Sequence, residues 1–154
     1  MLEIPVEVAA NETIVRAVFH PHHLNGSKLK WQAFRPPAAR RDVSVMRHDY
    51  LGTDDCRARA RQMSAERKEY RGFACLKVEA VRAAGPDVID SRDEFLGHAD
   101  IMHVHPAPPN GEPPDAARFD GLRETCKRLA KAAAYRADPD ADAEKWTGEP
   151  INPI

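Results

Sequence analysis

Two His-x-His pairs, His20-Pro21-His22 and His103-Val104-His105, together with His23 directly after the first, account for five of the seven histidines in this 154-residue chain. Residues two apart on an extended segment point the same way, so each pair can aim two imidazoles at one point. Such a pair is the beginning of a metal-ligand set or of a proton-transfer pair. His20 to His23 open the loop HPHHLNGSK beside a strand end, and Pro21 stiffens how that loop presents its rings.

The segment Gly97-His-Ala-Asp-Ile-Met-His-Val-His imposes a limit of its own. On a regular strand His98 and Asp100 share one face, while His103 and His105 share the other. His98 therefore joins the other two only across a bulge. The first combination sets a carboxylate beside an imidazole, an arrangement that orients a general base. The second is a ligand-type pair leading into a Pro-rich loop. Arg47 shares the face of Val43 and Val45, which should look into the core, and a semi-buried Arg suits a phosphate or carboxylate. Pairing with Asp42, Asp49 or Asp93 is the structural alternative for that arginine.

These residues lead to one expectation. A small enzyme would use His20, His22 and His98 as acid–base groups and Arg47 as an anion clamp, with His23, Ser44 and Arg92 lining the substrate. Phosphodiester or nucleotide hydrolysis suits that set. A metal-assisted variant would add His103 and His105 around a divalent ion such as zinc. The alternative is a non-catalytic adaptor whose histidines are structural. No P-loop, G-x-G-x-x-G, H-E-x-x-H or G-x-S-x-G motif is present, and there is no paired-Cys zinc signature.

Composition bounds the partners. The formal net charge is -1, so a general electrostatic affinity for nucleic acid or anionic membrane is not expected, although an anionic small molecule or a nucleic acid could meet a local basic site. Charge is uneven along the chain. From Arg35 to Arg71, nine Arg and one Lys face six acids; from Asp138 to Glu149, five acids face one Lys. The two stretches could neutralise each other, or either could address a protein partner. Arg outnumbers Lys sixteen to seven, a bias typical of GC-rich bacterial genomes. The start, MLEIPVEVAANET, has neither a cationic region nor a long apolar run, so a cytoplasmic location without membrane association is expected. Cys56, Cys75 and Cys126 are widely spaced and read as buried free thiols.

The elements that must position these groups follow from periodicity. Glu3–Val8, Thr13–Phe19, Asp42–His48 and Gly72–Val81 alternate as strands, with shorter candidates at Val88–Asp90 and Gly97–His103 and an extended stretch at Leu29–Phe34. Thr53-Asp54-Asp55 reads as a helix start leading to about Lys68, with a thin apolar line of Cys56, Ala60 and Met63. Asp115 reads as the cap of a second helix carrying Phe119, Leu122, Cys126, Leu129, Ala130 and Ala133 at helical spacing. The order predicts a single α+β domain over residues 1–136, a small and mostly antiparallel sheet packed against two helices on one side. Residues 137–154 form an acidic, Pro-containing tail packed on the domain or extending from it.

Overall fold

A computed structural model describes residues 3–64, 68–109 and 116–151, with 116–119 described by their backbone only. The chain folds as α+β in one body. In order its elements are β1 (Thr13–His20), β2 (Leu24–Asn25), β3 (Lys28–Leu29), a 3-10 turn (Trp31–Phe34), β4 (Asp42–Arg47), α1 (His48–Gln62), β5 (Glu69–Lys77), α2 (Val78–Ala84), β6 (Asp87–Asp90), β7 (His98–Met102), α3 (Ala116–Ala132) and β8 (Ala134–Ala137). Six strands make one sheet in the order β6-β7-β4-β1-β5-β8, and every pairing in it is antiparallel. β2 and β3 form a separate hairpin.

β1 is central and all but two of its residues are buried, so both faces of the sheet must be covered. On one face Ile14, Val18, Val43, Val45 and Leu76 pack with Val78 and Val81 of α2, Leu122, Cys126 and Leu129 of α3, and Phe34 of the 3-10 turn. On the other, Val15, Ala17, Phe19, Met46 and Phe73 meet Cys56 and Ala60 of α1, with Trp146 and Ile151 from the tail. The helices thus lie on both faces and not on one. The narrow stripe of α1 covers only part of its face, and the tail completes the cover. The three cysteines are buried free thiols, and burial pushes each pKa up to about 12, which removes thiolate chemistry at neutral pH.

Several boundaries depart from the periodicity. The strand from Gly72 stops at Lys77, and Val78 opens α2, where the Val78 and Glu79 amides donate to the carbonyls of Glu12 and Ala10. Val78 is buried in either conformation, so alternation alone could not reveal the change. The segment before β1 is no strand; its Pro5 and Glu7 carbonyls accept from the Arg47 guanidinium instead. Leu29–Phe34 curls into the 3-10 turn after β3. α1 starts at His48, ahead of Thr53, and Gly52 (φ +78) breaks it, a left-handed position that glycine adopts without strain. Asp115, the expected cap of α3, and the side chain of Phe119 lie outside the described residues.

The acidic tail and the basic stretch meet each other. Arg57 Nε donates to Asp138 Oδ2 at 2.6 Å, with Arg57 and Asp138 side chains 2% and 0% exposed. Tyr70 donates its hydroxyl to the same oxygen at 2.8 Å, and Arg57 also reaches the Asp140 carbonyl. The Trp146 amide donates to Asp54, and its ring packs against Phe73. Removing one partner of a buried pair strands the other. Asp138→Ala should therefore cost about 3–5 kcal/mol in chemical denaturation, and a loss under about 1 kcal/mol would contradict this account of the tail.

Candidate active site

β4 and β7 pair Met46 with His98 and Ser44 with Asp100. Directly opposed residues project to the same face, so His98, Asp100 and Ser44 are gathered on one patch by register. β1 joins β4 only at Ile14–Arg47 and Val15–Met46. Beyond Val15 the two strands part, and Arg16 occupies the gap: its Nε donates to the Ala33 carbonyl of the 3-10 turn and its Nη1 to the Ser44 carbonyl, both at 3.0 Å.

Two cavities meet at this gap. One, of about 300 Å³, is lined by Arg16, Ser44, Met46, Arg59, Phe95 and His98 among others. The other, of about 470 Å³, adds Arg40, Asp42, Ser91 and Asp100 around the same Arg16, Ser44 and His98. Asp42 is held by Arg40 in a two-pronged pair at 2.9 and 2.6 Å. That pair draws the Asp42 carboxyl below its ordinary range, through the hydrogen bond first.

His98 is 6% exposed, with Phe95 edge-on at 5.0 Å between ring centres. Its Nδ1 lies 2.5 Å from the Ser91 hydroxyl. Burial raises the Asp100 carboxyl above its usual range, against a hydrogen bond with Ser91 and the charge of His98. The His98–Ser91 contact is satisfied when Nδ1–H donates to the Ser91 hydroxyl. The Nε2 of His98 then carries the lone pair, and it has no hydrogen-bond partner among the described residues.

Two cations face the smaller cavity without a carboxylate partner among the described residues. Burial pulls Arg16 down to about 10, so it is charged at neutral pH, and its hydrogen bonds go to the two carbonyls. Arg59 lies over Phe95 at 3.8 Å from the ring centre and makes no ion pair with a described residue. Glu94 stands at the rim, exposed to water and bridged to neither arginine.

The other expected site residues are dispersed. Arg47 is wholly buried and all five of its N–H donors are engaged: Glu12 takes two at 2.8 Å, Asp90 one at 2.8 Å, and the Pro5 and Glu7 carbonyls the rest. It has no donor left for a substrate, and its carboxylate partners are none of Asp42, Asp49 and Asp93. Arg92 binds the opposite side of Asp90 and the Ile4 carbonyl. His20 and His22 are exposed, the former before the cis bond to Pro21, and neither lines these cavities. His20 stands five residues beyond Val15, roughly 16 Å along the strand, so the pair does not join His98.

His23 turns inward, and its Nδ1 accepts the Phe19 amide. Burial, then Arg16 and its other cationic neighbours, lower it to about 3. His103 is buried and within 3.0 Å of the Phe34 carbonyl through Nε2, and burial lowers its pKa. It shares a separate cavity of about 300 Å³ with His105, which lies against Gly121 of α3. Among the described residues no three His, Cys, Asp or Glu side chains come together to hold a metal ion.

His98 and Asp100, which strand parity puts together, thus meet Ser44 across the ladder, and Arg16, Arg59 and Ser91 complete the cleft from other elements. Arg16 did carry a signal: a charge between Ile14 and Val18 on one face of an apolar strand. Comparison with protein-family models, curated proteins and solved structures finds no match to this chain.

Two measurements check these roles. Arg47→Met should cost about 3–5 kcal/mol of stability by leaving the buried Glu12 without its counter-charge and Asp90 with Arg92 alone, and retained stability would make Arg47 a ligand-binding candidate again. His23 is neutral in the fold at pH values where the unfolded chain protonates it. Stability should therefore fall as pH drops from about 6.5 towards about 3. His23→Asn, which keeps an acceptor for Phe19, should flatten that slope in urea titrations at pH 7 and pH 5; an unchanged slope would contradict it.

Proposed function

We propose that this chain is an enzyme acting on a small phosphate-bearing molecule, a nucleotide or the end of a nucleic acid, in the cleft where β1 and β4 part. The reading is carried by one observation: Arg16 and Arg59, two guanidiniums without carboxylate partners among the described residues, face a single cavity that also holds His98. Both side chains are half-buried, and a cation partly withdrawn from water without a counter-charge gains from a bound anion. Guanidinium groups also match the oxygen geometry of phosphate.

His98 supports the chemical half of the reading. Its Nε2 accepts a proton from a water as that water's oxygen bonds to phosphorus, while the ester P–O bond breaks and the leaving oxygen takes a proton from solvent. Ser91 holds the ring through Nδ1, and the Asp100 carboxyl on the same strand face stabilises the imidazolium that forms. Arg16 and Arg59 meet the negative charge that builds on the phosphoryl oxygens. No helix among the described residues is long and apolar enough to cross a membrane.

Calorimetric titration with inorganic phosphate and a panel of nucleoside mono- and diphosphates tests this directly. Arg59→Gln and Arg16→Gln should each weaken binding roughly tenfold or more, the worth of a charged hydrogen bond. Arg59 is the cleaner probe because Arg16 also satisfies two backbone carbonyls. His98→Gln should keep binding and slow turnover by about 10²–10⁴. The absence of binding by every phosphate compound, or wild-type turnover in His98→Gln, would sink the proposal.

A further inference from the structure

A larger cavity lies elsewhere. A groove of about 880 Å³ runs between the β2–β3 hairpin, the 3-10 turn, the last turns of α3 and β8, lined by Lys28, Lys30, Trp31, Lys127, Lys131 and Tyr135 among others. No acid among the described residues lines it. Lys127 has a long contact of 3.5 Å with Glu124, and Lys28, Lys30 and Lys131 have no ion pair with a described residue. Arg123 and Arg35 lie by the Trp31 ring, at 5.8 and 6.0 Å from its centre. In a chain of net charge -1, this concentration of cations on one surface is local and specific.

The spacing of the lysines is regular. Lys127 and Lys131 are one helical turn apart, roughly 6 Å along α3. Lys28 and Lys30 are two residues apart on an extended segment, roughly 6.6 Å. Both repeats are comparable to the separation of successive phosphates in an extended single strand. Trp31 and Tyr135 add aromatic surface between the two rows. Basic side chains interleaved with aromatic ones are the pattern of single-strand binding, in which lysines follow the backbone and rings meet bases. Both rings are half-buried against the core, and an acidic peptide would answer the charge without using the part of them that lines the groove.

The 3-10 turn belongs to both sites: Trp31 and Gln32 line this groove, and the Ala33 carbonyl holds Arg16 in the cleft. We propose that the groove binds single-stranded nucleic acid, and that this strand is the polymer whose phosphate the Arg16–Arg59 cleft receives. Only the second half rests on the reading of the cleft.

Fluorescence anisotropy with a short labelled oligodeoxythymidylate tests the groove. Lys127→Glu/Lys131→Glu should weaken binding by roughly tenfold or more at low salt. It should also lower the slope of log affinity against log salt by about 1.4, at roughly 0.7 for each of two phosphates left without a lysine. The same double variant should retain whatever mononucleotide binding the cleft shows. In Trp146→Phe, which leaves Trp31 as the sole tryptophan, the oligonucleotide should quench emission. An oligonucleotide that does not bind the wild type at low salt, or binds the double variant equally well, overturns the proposal. So does displacement by poly-glutamate at equal charge, which would make the groove a site for acidic peptides. If no mononucleotide binds but oligonucleotide binding still falls in the double variant, the cleft reading has failed and the groove assignment stands.

Discussion

Pairing between β1 and β4 extends over two residues and then gives way, and the cleft exists because it does. Had the ladder continued, the Ser44 carbonyl would meet a backbone amide or neighbouring backbone, and Arg16 would have no gap to fill. The 3-10 turn supplies the wedge, with Ala33 and Phe34 fully buried and the Ala33 carbonyl bound by Arg16. A guanidinium can bridge such a splay because its donors are spread around a rigid plane. Two of them satisfy carbonyls, and the remainder are available to a ligand. One side chain thus both closes the defect in the sheet and charges the cavity beside it.

Two other arginines show what the same residue does when its charge is matched. Arg47 ties β4 to the segment before β1 and to β6 through Glu12, Asp90 and two carbonyls. Arg57 ties α1 to the tail through Asp138. Both are buried, both are neutralised by carboxylates, and both act as staples between segments distant in sequence. Glu12, Asp90 and Asp138 are correspondingly enclosed. Buried pairs of this kind are costly to break and weak as net stabilisers, so their main effect is to fix which segments meet. Arg16 and Arg59 differ by lacking that compensation among the described residues, and the contrast within one protein is what sets these two cavity-lining groups apart.

The residues legible in the sequence are those whose role is local. The fold class, the helix carrying Leu122, Cys126 and Leu129, and the strand parity that puts His98 with Asp100 all follow from spacing over a few positions. The change from β5 to α2 is not legible, because Val78 is buried in both and the amides that start the helix are satisfied by carbonyls many residues earlier. Parity does place Arg47 on the core face, but its partners come from Glu12 and Asp90, and sequence separation hides which acid will fill a buried socket. The His-x-His pairs attract attention by type, yet alternation lapses where a strand ends. β7 stops at Met102, and His103 and His105 turn to different neighbours, the Phe34 carbonyl and Gly121.

The same reasoning explains how a chain with almost no net charge can present a strongly basic groove. The tail's acids lie against α1 on one face of the sheet, where Asp138 neutralises Arg57 and Asp54 holds the Trp146 amide. The lysines of β3 and α3 lie on the opposite face, in a groove with no described acid in its lining. Screening limits the reach of exposed charges to about 8 Å at physiological ionic strength. A surface potential is therefore set by its own neighbourhood and not by the chain's total. Moving the acids to the far side of a sheet thus leaves the basic groove electrostatically independent of them.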